Sequence, residues 1–388
     1  MRFSLLALAA SSVMFGLAAH AAPLSVNLSD SSVQAKIVQA VELERHVYGN
    51  GSVVPGVVIG IWDNSGHAFI KGFGTSDLAT SLPFAPNDYV RIGSNTKTFV
   101  ISVLLQLVDE GKLNLDDPLS KFNIGVTVPD AEHITIRDLA DMRSGLFEVY
   151  NVPELQKDAS PDSNWDTRQL IRWAVAQKPA FPAGTKYGYS NTNYLILGLV
   201  IEAVTSDSVK HEIETRILRP FKLQHTFYPS TIEMPNPWAH GYAAKPGGGW
   251  QDVSNTVPVS LTGAAGNMIS NLPDMKRWVE LYVGGKTNGP ETQKQRLDCL
   301  PTGQGSLEFG LGVGCEDGWF GYTGGLPGYN TAAWTYPAGG LTVLVFVTDQ
   351  GANPPPGVAN AMLRDITTIL TPGHVPFGSE AAKGKSGL

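Results

Sequence analysis

The sequence predicts an α+β protein with one antiparallel sheet built from both ends of the chain, covered by terminal helices, with a mainly helical region inserted between the two ends. Apolar strand patterns occur near both ends, at residues 57–73 and 330–347. Helical periodicity dominates residues of about 130–275. The same periodicity at 33–48 and 357–370 predicts the two helices that cover the sheet.

Each end contributes a predicted strand pair joined by a turn. The two strands of the first pair cover residues 57–62 and 67–73 and are separated by Asp-Asn-Ser-Gly. The last pair covers residues 330–336 and 341–347 and is separated by Pro-Ala-Gly-Gly. Both connecting sequences are rich in residues that favour turns, so each pair is predicted to be antiparallel.

The most informative helix start is Ser-Asn-Thr-Lys at 94–97, which precedes an apolar run at 99–105. A Ser-x-x-Lys spacing puts a hydroxyl and an amine one helical turn apart on the same face. Serine becomes a good nucleophile when a base takes its proton. Burial lowers the pKa of a lysine and can make it that base. Because the same spacing also occurs at ordinary solvated helix starts, it requires support from elsewhere in the chain.

Two further boxes supply that support. Tyr-Ser-Asn at 189–191 precedes the apolar run at 194–200, and Tyr-Thr-Gly-Gly occupies 322–325. Three boxes in the order Ser-x-x-Lys, Ser-Asp-Asn and Lys-Thr-Gly are typical of β-lactamases and penicillin-binding proteins. Here the middle box has the form Tyr-x-Asn.

On these boxes, the chain resembles the serine penicillin-recognising family of class C β-lactamases, soluble DD-carboxypeptidases, D-amino-acid amidases and related esterases. It is most similar to the Streptomyces-type D-alanyl-D-alanine carboxypeptidases. Segments 103–113, 136–146 and 181–193 also resemble the family, and the similarity covers about residues 45–370. The resemblance implies a β-lactamase/transpeptidase-like fold with its site between the sheet and the helical region.

The resemblance also implies roles for individual residues. Ser94 would attack a carbonyl and form an acyl-enzyme, with Lys97 and Tyr189 as the proton relay. A lysine beside the phenol would favour tyrosinate, so Tyr189 would be the base toward Ser94 and the acid toward the leaving group. Asn191 would hold the amide or carbonyl of the substrate; the alternative for Asn191 is an ordinary helix N-cap.

The third box would bind substrate through Tyr322, Thr323, Gly324 and Gly325, with the backbone N–H groups of Ser94 and Gly325 as the oxyanion hole. The family usually has Lys or His where this chain has Tyr322. A cation there binds a substrate carboxylate, whereas a neutral phenol offers only a hydrogen bond. No Lys or Arg occurs in residues 305–321, which contain three acids (Glu308, Glu316 and Asp317).

The leading hypothesis is therefore an exported serine hydrolase of DD-peptidase type (a D-alanyl-D-alanine carboxypeptidase) that cleaves D-amino-acid amide bonds. Its expected substrates are peptidoglycan-type peptides or D-amino-acid amides and esters, with no cofactor and no metal. One alternative, favoured by Tyr322, is an esterase, amidase or D-aminopeptidase of the same family that acts on uncharged substrates. Another is a non-catalytic penicillin-binding sensor domain.

Residues 1–21 have the pattern of a signal peptide: a positive Arg2, an apolar stretch to residue 19 and an Ala-His-Ala cleavage site. This predicts a periplasmic or secreted protein without a transmembrane anchor. The hydrolase domain is predicted at 22–371, with an α/β part at about 22–130 and 275–371 and a helical part at about 131–274. A Gly/Pro/Ser/Lys-rich tail at 372–388 is predicted to be disordered.

The 388 residues include 28 Lys or Arg and 35 Asp or Glu, a formal net charge of −7. This balance argues against binding to nucleic acid or to an anionic membrane as a main activity. The only two cysteines, Cys299 and Cys315, are expected to form a disulfide after export; the alternative is two free thiols. No His, Cys, Asp and Glu cluster has metal-ligand spacing.

Overall fold

The computed structural model describes residues 27–49, 51–157, 160, 163–350 and 357–378. The predicted signal peptide lies outside these residues, as does the tail from 379 onward. The described helices are α1 Ser31–Val47, α2 Thr96–Asp109, α3 Ile136–Ala140, α4 Pro153–Lys157, α5 Thr167–Val175, α6 Asn191–Thr205, α7 Val209–Ile213, α8 Val259–Gly266, α9 Leu272–Val283, α10 Pro290–Arg296 and α11 Val358–Leu370.

The strands form one large sheet and two small ones. The large sheet has nine strands in the order β3-β2-β1-β13-β12-β11-β10-β9-β8, and β4-β7 and β5-β6 form separate pairs. The strands are β1 Gly56–Asp63, β2 Ala68–Asp77, β3 Leu82–Pro83, β4 Val90–Arg91, β5 Tyr242–Ala244, β6 Trp250–Asp252, β7 Ile269–Ser270, β8 Leu300–Gln304, β9 Leu307–Phe309, β10 Gly314–Glu316, β11 Trp319–Leu326, β12 Tyr329–Tyr336 and β13 Leu341–Val347.

The large sheet joins the two ends of the chain, as the sequence predicts. Strand β1 pairs antiparallel with β13, and the register runs from Val57 opposite Val347 to Asp63 opposite Leu341. Both strands are buried on both faces, which explains their continuous apolar runs. The expectation of an α+β fold with a sheet built from both ends is confirmed.

Each face of the sheet is covered by its own helices. On β1, Val57 and Ile59 pack in the same core as α1 and α11, whereas Val58 packs in the core that contains α2 and α9. This follows from the alternation of side chains along a strand. The second core continues into the helical region between the two ends of the sheet, so α2 lies at the boundary between sheet and helices.

The helical region contains more strand than its periodicity predicts. Residues 242–252 form the hairpin β5-β6, and β7 pairs with β4 at Val90 opposite Ser270. These strands have only two or three residues each, too few to give a recognisable alternation. Within the described part of the chain, no helix combines the length and the apolar character that crossing a bilayer requires.

Seven residues of the tail predicted to be disordered, 372–378, lie within the described part of the chain. Phe377 is only 7% exposed and packs in the core under α1 and α11. Trp319 donates its indole N–H to the carbonyl of His374 at 3.0 Å. A few apolar anchors therefore order a segment whose overall composition is typical of disorder.

The two cysteines form the disulfide that the sequence predicts, and the alternative of two free thiols is wrong. Cys299 precedes β8 and Cys315 lies on β10, with 6.4 Å between their Cα atoms. The bond links the exit of α10 to β10, the strand that pairs with β11 in the sheet.

Replacing both cysteines by serine should lower the free energy of unfolding by ~3 kcal/mol, because the bond closes a loop of about 15 residues in the unfolded chain. Urea unfolding followed by tryptophan fluorescence measures the change. Wild-type protein unfolded with a reductant present is the control and should match the variant. Equal unfolding midpoints for the oxidised wild type and the double variant would contradict this prediction.

Candidate active site

Ser94 and Lys97 meet as their spacing predicts. Ser94 lies in the 3-10 turn Gly93–Asn95 that leads into α2, and Lys97 lies in the first turn of that helix. The Lys97 Nζ atom is 2.9 Å from the Ser94 Oγ atom. Lys97 itself is fully buried.

The Lys97 amine has two other partners, both carbonyl oxygens. It donates to Asn191 Oδ1 at 2.8 Å and to the backbone oxygen of Ala265 in α8 at 2.6 Å. Burial lowers the pKa of Lys97 to about 7, and the opposing effect of the Glu148 charge is smaller. A neutral amine has two N–H groups and one lone pair. Since the two carbonyl oxygens can only accept, they orient the lone pair toward Ser94.

Tyr189 completes the group by donating its hydroxyl to Ser94 Oγ at 2.8 Å. The ring is 40% exposed, but the atoms packed around the phenol raise its pKa to about 12. Its hydrogen bond to Ser94 offsets only part of that rise. Burial therefore favours the neutral phenol over the expected tyrosinate at neutral pH.

The segment that carries Tyr189 is held by the turn at 142–145. Met142 in this turn has a φ of 65°, a left-handed conformation that a non-glycine residue rarely adopts. The turn presents its carbonyl groups to residues 180–188, which fixes the approach to Tyr189. The hydrogen bonds run from Gly188 N to Met142 O (2.8 Å), from Gly184 N to Arg143 O (2.9 Å) and from Ala180 N to Gly145 O (2.9 Å).

Both polar atoms of the Asn191 side-chain amide are hydrogen-bonded to other side chains of the protein. Its oxygen accepts from Lys97, and its Nδ2 donates to Glu148 at 3.2 Å. Its backbone N–H donates to the same carboxylate at 2.6 Å. The N-cap alternative is wrong, because Ser190 occupies that position. Glu148 was not singled out from the sequence, and only its place just after the family-like segment 136–146 could have suggested it.

The third box packs backbone to backbone against the loop that carries Ser94. A Cβ on Gly324 would lie 1.9 Å from the oxygen of Ile92, and a Cβ on Gly93 would lie 2.7 Å from the nitrogen of Gly325. Gly93 also has a φ of 51°. Glycine is therefore required on both sides of this contact. The backbone beside Ser94 and that of Gly325, the two expected oxyanion donors, are adjacent.

Side chains on β12 secure the same junction. Asn95 donates to Thr331 Oγ1 at 3.0 Å, and Thr331 donates to the oxygen of Ile92 at 3.2 Å. Asn330 donates to the oxygen of Gly324 at 2.9 Å. These residues were not singled out from the sequence, since the two contacts of Thr331 join positions more than 200 residues apart in the chain.

Tyr322 and Tyr189 line an apolar cavity of about 210 Å³. None of the described residues that line it is charged. Burial raises the pKa of Tyr322 well above its usual value. The Tyr322 hydroxyl is close enough to Tyr189 to affect its pKa, but makes no hydrogen bond of normal geometry within the described residues. The aromatic lining residues are Tyr187, Tyr189, Phe309, Tyr322, Trp334 and Phe377.

Thr323 faces the C-terminal helix and donates to Asn360 Oδ1 at 2.8 Å. A larger cavity of about 600 Å³ lies between residues 129–134 and 174–183, but none of the residues of the three boxes lines it. The described part of the chain contains no group of three or more metal-ligating side chains. The chemistry suggested by the boxes is therefore concentrated at Ser94 and the smaller cavity.

Residues 35–367 match the protein family described as Beta-lactamase. The chain belongs to the β-lactamase family. It is a serine hydrolase with the β-lactamase/transpeptidase-like fold, so the family and fold that the boxes predict are confirmed.

Solved structures of similar proteins cover nearly the whole domain. A D-stereospecific amidohydrolase from Streptomyces sp. is 27% identical with a TM-score of 0.74, over 87% of this chain and 98% of that chain. The D-amino acid amidase from Ochrobactrum anthropi SV3, complexed with D-phenylalanine, is 21% identical with a TM-score of 0.77, over 87% of this chain and 99% of that chain. At that lower identity the second likeness supports the fold alone.

Curated relatives from Staphylococcus aureus match shorter stretches. Protein flp of strain MW2 is 29% identical over 245 residues, which is 62% of this chain and 47% of the relative. A teichoic acid D-alanine hydrolase is 32% identical over 195 residues, which is 50% of this chain and 45% of the relative. The chain spans about half the length of the curated relatives it matches.

The variant Gly324→Ala should lose about 1–3 kcal/mol of folding free energy, because its methyl group would overlap the oxygen of Ile92. Gly325→Ala is the matched control, since a Cβ there meets only Asn330 Nδ2, at 3.9 Å. Urea unfolding of the two variants tests the close backbone contact. Equal stabilities would show that the junction relaxes without cost.

Proposed function

We propose that this chain is an exported serine amidase or esterase that cleaves amides and esters of D-amino acids and prefers a leaving group without a free carboxylate. The main support for the preferred leaving group is the cavity beside Tyr189, because none of its described lining residues is charged. A desolvated carboxylate needs a paired cation, and the buried Tyr322 phenol does not supply one. The names of the relatives, a D-stereospecific amidohydrolase and a teichoic acid D-alanine hydrolase, support the D-amino-acid part.

Acylation would begin at Lys97. In its neutral form the amine accepts the Ser94 proton as Oγ attacks the substrate carbonyl, and the lone pair is already directed there by Asn191 and Ala265. The negative charge on the carbonyl oxygen would be stabilised by the N–H groups of Ser94 and Gly325. Each such donor is worth ~3–4 kcal/mol in the transition state.

Tyr189 would act as the acid. Its neutral phenol gives a proton to the leaving nitrogen or oxygen when the single bond between that atom and the carbonyl carbon breaks, and the ammonium of Lys97 returns a proton to the phenolate. Water then attacks the acyl-enzyme, gives up a proton to the relay and releases the acid product and Ser94. This complete relay supports turnover rather than the sensor alternative, in which acylation alone would suffice.

Export is supported by two independent features. The first 21 residues have the pattern of a signal peptide, and the disulfide between Cys299 and Cys315 is of a kind that persists in oxidising compartments. A periplasmic or secreted location would give the enzyme access to D-amino-acid derivatives of the cell envelope.

The rate should rise with pH through about 7, because the base is neutral Lys97 and its pKa is lowered to about 7 by burial. One pH unit below that pKa, kcat/KM should fall to about a tenth of the plateau. It should stay high through pH 9, since the Tyr189 pKa is about 12. Lys97→Arg is the control and should remove both the activity and the rising limb, because arginine stays charged. A flat profile between about pH 5 and 8 would exclude Lys97 as the base.

A D-Ala-D-Ala peptide with a C-terminal amide should be cleaved with at least about tenfold higher kcat/KM than its free acid, a difference of ~1.4 kcal/mol. The acyl part is the same in both, so the comparison isolates the carboxylate. Tyr322→His should shift the preference toward the free acid by restoring a group that can carry positive charge.

Ser94→Ala is the control and should abolish cleavage of both substrates, because it leaves only binding and oxyanion contributions. Faster cleavage of the free acid would favour the DD-carboxypeptidase hypothesis instead. Activity of Ser94→Ala comparable to the wild type would overturn the mechanism.

A further inference from the structure

The last described segment of the chain reaches the cavity beside the candidate active site. Phe377 lines this cavity together with Trp334, and the two rings meet edge to face with centroids 5.2 Å apart. Phe377 lies 283 positions after Ser94 and is outside the matched family segment, which ends at residue 367. This wall of the cavity therefore comes from a part of the chain that lies outside the matched segment and outside the three boxes.

The segment is fixed to the sheet by several contacts. The His374 carbonyl accepts from the Trp319 indole at 3.0 Å and from Thr371 Oγ1 at 2.8 Å. The backbone N–H of Val375 donates to Asp317 at 3.4 Å. Trp319 begins β11, the strand that also carries the third box. The position of Phe377 is thus tied to the same strand as Tyr322 and Thr323.

Phe377 also has an unusual backbone conformation. Its φ is 62°, in the left-handed region that residues with a side chain rarely occupy. Such a conformation persists only where surrounding contacts over-determine it, and it occurs preferentially at ligand-contacting positions. Here the conformation places the ring against Trp334 and leaves it 7% exposed.

The cavity lies on the side where the leaving group must be. Tyr189 lines it and also donates its hydroxyl to Ser94, and in the proposed mechanism that hydroxyl protonates the leaving group. At about 210 Å³ the cavity is large enough for one aromatic ring, since apolar cavities of about 150 Å³ bind benzene.

Resting on the proposed function, we infer that Phe377 is a specificity-determining residue: it forms the wall of a leaving-group subsite that takes an uncharged aromatic group. The substrate class is then arylamides and aryl esters in addition to simple amides. The C-terminal segment sets the size of the group that fits, and the three boxes supply the chemistry.

The test compares D-alanine p-nitroanilide with D-alaninamide, which share the acyl part and differ in the leaving group. Phe377→Gly removes the ring and suits a positive φ. It should raise KM for the anilide about tenfold and leave D-alaninamide within about twofold of wild type. Phe377→Trp should also disfavour the anilide by filling the subsite. Val375→Ala is the matched control, because Val375 belongs to the same segment but does not line the cavity.

Equal changes for both substrates in Phe377→Gly would overturn the inference, because the ring would then support the whole site rather than one subsite. No change for either substrate would overturn it as well. If the wild type cleaves neither D-alanine derivative, the proposed function fails, and phenyl acetate against methyl acetate then tests the subsite. A selective loss of phenyl acetate hydrolysis in Phe377→Gly would still support the wall, and an unchanged ratio would reject it.

Discussion

The candidate site depends on one completely buried lysine whose hydrogen bonds, among the described residues, are all to neutral oxygen atoms. Lys97 meets a hydroxyl, a side-chain amide and a backbone carbonyl, each from a different part of the fold. Transfer of an ammonium group out of water costs several kcal/mol. The protein meets that cost in part by lowering the pKa, so the amine is close to neutral under physiological conditions. The inserted helical region is needed for this, because α6 and α8 supply the two carbonyl oxygens that accept from the amine.

The sheet and the helices meet through glycines at the loop that carries Ser94. The loop before α2 lies directly against β11, and the backbones there are too close for a side chain at Gly93 or Gly324. Asn95, Thr331 and Asn330 hold that contact with hydrogen bonds from the neighbouring strand. The sheet itself forms because β1, near the start of the chain, pairs with β13, near its end.

Features set by local sequence could be predicted. The Ser94 and Lys97 spacing follows from helix geometry, and the strands at both ends follow from apolar runs bounded by turn residues. Features set by distant packing could not. Glu148 reaches Asn191 across 43 positions, and Ala265 contributes a carbonyl that any residue type would offer. The Tyr189 pKa depends on how deeply the phenol is buried, which the sequence alone does not show. The ordered segment at 372–378 depends on a few anchors such as Phe377 within a sequence of low hydrophobicity.

Tyr322 links specificity to the proton relay. A cation at this position would do two things at once: it would pair with a substrate carboxylate, and it would stabilise the tyrosinate form of Tyr189. A buried phenol carries no full charge and does neither. Its contact with Tyr189 lowers the Tyr189 pKa by less than burial raises it. In the proposed mechanism Tyr189 therefore stays protonated and acts as the acid, and the neutral amine of Lys97 is the base. Under that proposal, the residue that leaves the cavity uncharged would also be a reason why base and acid are divided between Lys97 and Tyr189.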